Sequence, residues 1–139
     1  MTPAAGVLRC APEEAVSILA NWSGPASVPV LGTHHGAAVG WVKQLMRDGS
    51  DVWFVAALDD VPAAERLLSG PVAVSVEMLG RGVTPHPDER GIVLPVSTIG
   101  WPATFHGSVG PGWTLTGIAM LPTGHPPGAP GSAMWVSVP

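Results

Sequence analysis

The chain has little charge, one cysteine and no long apolar run, and each scarcity excludes a class of protein. Only 12% of its 139 residues are charged, against about 25% in an average soluble domain. The one cysteine, Cys10, excludes an intramolecular disulfide and is typical of a reducing compartment. No apolar run approaches the ~20 residues that a membrane helix requires. We therefore expect one soluble domain over residues 1–139.

The sequence also lacks the signals of several ligand classes. A net charge of −4 and the lack of any basic run argue against a nucleic-acid binder. Residues 1–6 lack the basic and apolar regions of a signal peptide, which predicts a cytosolic protein. The chain has no Gly-rich phosphate loop, dinucleotide fingerprint, paired-cysteine zinc site or Gly-x-Ser-x-Gly elbow. We expect no cofactor and no metal.

Apolar segments of strand length dominate what is present. Segments rich in Val, Ala, Leu and Trp between Gly- and Pro-rich turns predict strands. They cover residues 4–9, 28–33, 37–46, 52–58, 72–79, 91–96, 113–121 and 133–138. Several are apolar on both faces, as in a barrel covered by helices or by a partner. The prediction is a mainly β fold, a small closed barrel of about seven strands with two short peripheral helices.

Both helices are marked by a proline in the first turn, where a helix tolerates it. The first begins near Pro12 and has an apolar stripe at helical spacing, formed by Ala15, Ile18, Leu19 and Trp22. The second is capped by Asp59 or Asp60. It contains Ala63, Ala64, Leu67 and Leu68, enough apolar side chains for two faces.

Two segments contain residues suited to nucleophilic catalysis. His34 and His35 follow an apolar strand, and an imidazole at a strand end is well placed as a general base. Ser75 interrupts the apolar run 72–76, and a serine hydroxyl becomes nucleophilic when a base accepts its proton. The alternatives are a structural polar residue at Ser75 and a carbonyl-bonded histidine at His34. A metal pair of adjacent histidines is disfavoured, because neighbouring strand residues point to opposite faces.

Four short segments resemble, in the same order, the herpesvirus assemblins and the tailed-phage prohead proteases, which share a fold. Residues 5–8 are similar to the opening strand, and residues 28–34 with 36–40 to the segment of the first histidine. Residues 72–76 resemble the nucleophile strand of the phage enzymes. Residues 115–121 resemble the later strand that carries the third catalytic residue. The resemblance implies an assemblin-like barrel and a capsid maturation protease.

By position, the resemblance maps the base onto His34, with His35 as runner-up, and the nucleophile onto Ser75. The third catalytic residue, a histidine or an acid in these families, falls on Thr116 or Gly117. Thr116 is the weak candidate there, since glycine cannot orient an imidazole. Three other residues are conceivable substitutes, and they stand elsewhere in the chain: Glu77, His106 and His125. The arginine-rich oxyanion loop has no counterpart, and the backbone amides of Gly124 and His125 take its place.

The function that the resemblance implies is endoproteolysis of scaffold and major capsid proteins during phage head assembly. The chain would then act in the host cytoplasm, inside the assembling procapsid. Its low charge, together with the pairing of assemblins through helices, predicts a homodimer or a capsid-bound state. The rival interpretation is a catalytically inactive barrel of the same fold, used as a structural protein of the capsid or scaffold.

Overall fold

The computed structural model describes residues 1–34, 36–80, 85–86, 106–107, 113–127 and 129–137. The elements of this part of the chain follow one another in this order: β1 (Thr2–Arg9), α1 (Pro12–Ala20), β2 (Pro29–Leu31), β3 (Ala38–Asp48), β4 (Asp51–Leu58), α2 (Val61–Leu68), β5 (Val72–Gly80), β6 (Pro85–His86), β7 (His106–Gly107), β8 (Trp113–Met120) and β9 (Ala133–Val136). Neither of the two helices is long and apolar enough to cross a membrane.

Seven of these strands close into a barrel in the order β1-β4-β3-β2-β8-β5-β9. Every neighbouring pair is antiparallel except β2 and β8, which run parallel with Val30 beside Ile118. Strand β8 therefore lies between β2 and β5, although β2 and β5 are far apart in sequence. The remaining strands, β6 and β7, form a separate two-stranded ladder.

The barrel interior is filled by aliphatic side chains and one phenylalanine. Phe54 is buried among them, and opposite it on β1 stands Gly6, where a side chain would overlap the Phe54 ring. Close packing of this kind leaves no room for a larger residue at Gly6. The interior cluster also includes these residues: Leu8, Val30, Val42, Leu58, Val74, Ile118, Met120 and Met134.

The two helices pack against the barrel, α1 on β8, β3 and β4 and α2 on β9 and β4, and both begin as their sequences predict. Pro12 opens α1, whose start is closed by the Ala11 amide donating to Glu14 Oε1 at 2.9 Å. Asp60, one of the two predicted caps, accepts a hydrogen bond from the Ala63 amide at 3.0 Å. Ala15 and Ile18 of α1 are buried in the cluster, as the stripe predicts. The stripe's last member, Trp22, lies beyond the helix end and packs against the cluster.

The predicted fold class is confirmed, and its boundaries need a few corrections. The barrel has seven strands and two helices, as the apolar segments indicate. The strand predicted over residues 91–96 lies outside the described residues. Between the predicted strands 91–96 and 113–121 the structure adds β7, which the sequence does not predict because a two-residue strand gives no periodicity to detect. Leu68 of α2 is exposed, while Ala64 is buried, so the helix presents fewer apolar residues outward than predicted.

Candidate active site

Ser75 and Glu77 lie on the outer surface of the barrel, on one face of β5. Val72, Val74 and Met78 belong to the interior cluster, and successive strand residues point to opposite faces. The odd-numbered residues of β5 therefore point away from the interior. Ser75 is nevertheless only 4% exposed, and Glu77 is buried as well. Burying a polar side chain outside the core has a free-energy cost, so a function for the pair is worth testing.

His34 lies in a tight turn at the tip of the β2–β3 hairpin. The amide of Gly36 donates to the carbonyl of Thr33 at 3.0 Å, which closes the turn around His34. A Cβ at Gly36 would lie 3.0 Å from the same carbonyl oxygen, so a larger residue would crowd the turn. His34 thus lies in a closed turn three residues beyond the end of β2, and its role as a general base stays a prediction.

The structure brings His34 and Glu77 together across strand β8. His34 Nδ1 lies 3.9 Å from Glu77 Oε1. Glu77 is the register partner of Gly117, and β8 separates β5 from the hairpin that carries His34. The His34 and Glu77 side chains are 34% and 11% exposed. Solvent therefore screens this pair less than it screens a fully exposed ion pair.

Gly117 lies beside the Glu77 carboxylate. A Cβ on Gly117 would lie 3.0 Å from Glu77 Oε2 and 3.1 Å from Leu31 Cδ1. Both distances are shorter than ordinary van der Waals contact. The space that a side chain of residue 117 would fill is thus bordered closely by the Glu77 carboxylate. Gly117 is also one of the two positions onto which the resemblance maps the third catalytic residue.

Thr116, the other such position, lies in a β-bulge next to Gly117. Leu115 and Ile118 both belong to the interior cluster, so the two residues between them lie on the outer side. The β5–β8 register shifts by one residue here, which makes Thr116 the extra residue of β8. Its side chain is exposed. A catalytic role for Thr116 stays a prediction, as does the approach of Ser75 Oγ to an imidazole nitrogen.

The predicted oxyanion loop is a turn whose two amides differ. The amide of His125 donates to the carbonyl of Pro122 at 3.0 Å, so it already serves the turn. Gly124 has a φ of +80°, a conformation that favours glycine, and its amide is the better candidate of the two. The exposed His125 ring has Nδ1 3.1 Å from the carbonyl oxygen of Pro126.

A cavity of about 700 Å³ lies between this loop, the end of α2 and the start of β5. Ala73 lines it, and Ala73 precedes Ser75 by two residues on the same strand face, about 7 Å away. Arg66, in the last turn of α2, also lines it and donates to the carbonyl of Leu121. Ser75, His34 and Glu77 are not among the residues that line the cavity.

The other candidate residues contribute less. His35, the runner-up base, lies outside the described residues, and so does the side chain of His106, whose backbone pairs with His86. Within the described ranges no cluster of three or more His, Cys, Asp or Glu could hold a metal ion. Burial, with smaller contributions from Glu14 and Asp51, raises the pKa of the Cys10 thiol to about 12. Cys10 is therefore protonated and a poor nucleophile at neutral pH.

Sequence reasoning does not reveal the surroundings of two residues of this region, Gly117 and Arg66. Gly117 shows in the sequence only as a gap at the third catalytic position, and nothing local indicates that a carboxylate from another strand lies beside it. Arg66 has a weak signal, a cation in the last turn of a helix. That signal does not reveal that the Arg66 side chain borders the cavity next to β5.

No family model matches the chain, and no curated protein or solved structure matches it either. The resemblance to assemblins and prohead proteases thus depends on four short motifs and stays a prediction. The structure shows an imidazole, that of His34, near the Glu77 carboxylate, and a buried serine, Ser75, two residues before Glu77 on β5. These three groups are the components of a Ser–His–acid nucleophilic site.

Proposed function

We propose that this chain is a serine endopeptidase that cleaves scaffold and capsid proteins during phage head maturation. The observation that carries the proposal is the 3.9 Å approach of His34 Nδ1 to Glu77 Oε1, on the barrel face that carries Ser75. A histidine with one nitrogen facing a carboxylate keeps the other nitrogen for proton transfer. The order of the four family-like motifs supports the same assignment.

In this mechanism Ser75 Oγ attacks the scissile carbonyl carbon while its proton passes to His34 Nε2. The amide of Gly124 donates to the oxyanion that forms. Collapse of the tetrahedral intermediate breaks the peptide C–N bond, and His34 returns the proton to the leaving amine. Water then attacks the acyl-serine by the same route in reverse. The cavity beside Ala73 would hold part of the substrate chain.

The substrates and the setting come from the resemblance and belong to the proposal. They are scaffold and major capsid proteins, met inside the assembling procapsid in the host cytoplasm. A homodimer or capsid-bound state would cover exposed apolar side chains of α2, which include Val61 and Leu68. Apolar side chains are enriched in the buried core of homodimer interfaces.

A second candidate function is a structural barrel of the capsid or scaffold without catalysis. The burial of Ser75, which is only 4% exposed, favours it, because a nucleophile must meet the scissile carbonyl directly. The two functions make opposite predictions for the same experiment.

The experiment is co-expression of the chain with its cognate scaffold and major capsid proteins. We expect the wild type to shorten them and both Ser75→Ala and His34→Ala to leave them at full length. Loss of either residue should remove most of the rate, since nucleophile and base act as one unit. Equal processing by wild type and Ser75→Ala would refute catalysis through this serine. Full-length substrates with every variant would favour the structural function.

A further inference from the structure

We infer that Glu77 is the positioning residue of this site, orienting His34 from the nucleophile's own strand through the clearance left by Gly117. The effect of Glu77 on catalysis rests on the proposed function. The carboxylate would take the part of the third catalytic residue, which the resemblance places on β8. The resemblance expects the third catalytic residue on β8, whereas Glu77 stands on β5.

The first support is the atom of His34 that faces the carboxylate. Nδ1 lies 3.9 Å from Glu77 Oε1, an ion-pair distance longer than a hydrogen bond. Catalytic contacts are often loose without substrate and tighten in the complex. With Nδ1–H directed at a carboxylate, Nε2 is the nitrogen that accepts a proton from a serine. Glu77 thus selects the tautomer that a base for Ser75 requires.

The second support is the strand geometry that brings the carboxylate to His34. Ser75 and Glu77 share one face of β5, with Ser75 beside Ala119 and Glu77 beside Gly117 on β8. The hairpin with His34 lies on the other side of β8. Because residue 117 is glycine, the Glu77 carboxylate can lie 3.0 Å from where a Cβ would stand. Any side chain there would push the carboxylate or Leu31 aside.

The third support is the weaker position of the competing groups. Thr116 is exposed in the bulge, and a hydroxyl orients an imidazole less strongly than a charged acceptor does. The His125 ring is exposed and lies against the carbonyl of Pro126. Glu77, in contrast, has a side chain only 11% exposed and already faces His34.

The test compares Glu77→Gln with Glu77→Asp and with Glu65→Gln, which removes a carboxylate from an exposed position of α2. Two quantities are measured: peptidase kinetics, and the His34 imidazole titration by NMR in a Ser75→Ala background. For Glu77→Gln we expect kcat to fall about 10²- to 10⁴-fold with KM little changed. The His34 titration midpoint should move to lower pH, because an opposite charge nearby favours the protonated imidazole.

Glu77→Asp should restore part of both quantities, and Glu65→Gln should leave both unchanged. Gly117→Ala should move the His34 midpoint in the same direction as Glu77→Gln, because its methyl group displaces the carboxylate. An unchanged midpoint in Glu77→Gln, with a circular dichroism spectrum like that of the wild type, overturns the inference. So does a loss of kcat in Thr116→Ala without one in Glu77→Gln. If the wild type cleaves nothing, the proposed function fails, and the titration still decides whether Glu77 orients His34.

Discussion

Two outer faces of the same barrel have opposite character. The face formed by β5 and β8 buries polar side chains, Ser75 and Glu77. The face formed by β3 and β4 instead exposes apolar ones: Trp41 is 39% and Met46 43% exposed. Neither arrangement follows from the barrel's stability, which depends on its interior. Buried polar side chains of this kind depart from local stability rules, whereas single exposed apolar side chains are common on protein surfaces.

Glycines of β3 and β8 should respond differently to a methyl group. On β3, a Cβ at Gly40 would overlap the backbone carbonyl of Ala57, which cannot move without bending the sheet. On β8, the neighbour of Gly117 is the end of a flexible side chain. We expect Gly40→Ala to lower the free energy of unfolding by about 2–4 kcal/mol and Gly117→Ala by much less. Urea denaturation measures both, and equal losses would contradict the distinction.

Two buried serines offer a matched comparison on a smaller scale. Ser132 Oγ accepts a hydrogen bond from the Arg9 amide at 2.9 Å, so its role is structural. Ser132→Ala leaves that amide without its partner and should lower the unfolding free energy by about 1–2 kcal/mol. Ser75→Ala should change it by less, since the proposed role of Ser75 is chemical. A larger loss in Ser75→Ala would favour the structural function.

Cys10 shows what burial does to a reactive group with no assigned function. Its thiol has a pKa raised from 9.0 to about 12, chiefly by burial. At a pH between these two values the thiol keeps its proton in the folded chain and loses it in the unfolded chain. The free energy of unfolding therefore falls as pH rises from about 9 towards 12. We expect the unfolding free energy of the wild type to fall by about 1 kcal/mol between pH 8 and pH 10. Cys10→Ala should remove that part of the decrease, and an equal decrease in the variant would contradict it.

The smallest expected effect on stability concerns the exposed apolar residues. Leu68→Asp on α2 and Met46→Gln on β3 should each change the unfolding free energy by less than about 0.5 kcal/mol. Association should separate them, because we propose that α2 pairs two chains. Sedimentation at micromolar concentration should show a lower mass for Leu68→Asp and an unchanged mass for Met46→Gln. A monomeric wild type would refute self-association, and a loss of mass in Met46→Gln alone would move the contact away from α2.

The sequence predicts the barrel well because its signals are local. Apolar segments of strand length, proline at Pro12 and Pro62, and a cap at Asp60 each determine one element without reference to the rest. The spacing of Ser75 and Glu77 likewise places both on one strand face, because side chains two residues apart on a strand point the same way. Local signals do not reveal the bulge at Thr116, which depends on the pairing of β5 with β8.

The pairing of His34 with Glu77, unlike the helices and strands, does not follow from local signals in the sequence. It depends on the strand order β2-β8-β5 and on a parallel contact between strands far apart in sequence. No periodicity encodes that order, so the sequence offers Glu77 only as one of several possible substitutes. Gly117 shows the same limit, since its importance comes from the carboxylate beside it. The nucleophile and the base come from motif order, and their mutual approach stays a prediction.

The most direct test of the account is labelling with a fluorophosphonate, which needs no knowledge of the substrate. An activated serine displaces fluoride from phosphorus and keeps the phosphonyl group as a mass increase. Intact-mass and peptide analysis of the wild type should find one adduct, on Ser75 and not on the equally buried Ser132. The adduct should disappear in Ser75→Ala and His34→Ala. A folded wild type that takes no label at Ser75, or labels it equally without His34, would contradict the account.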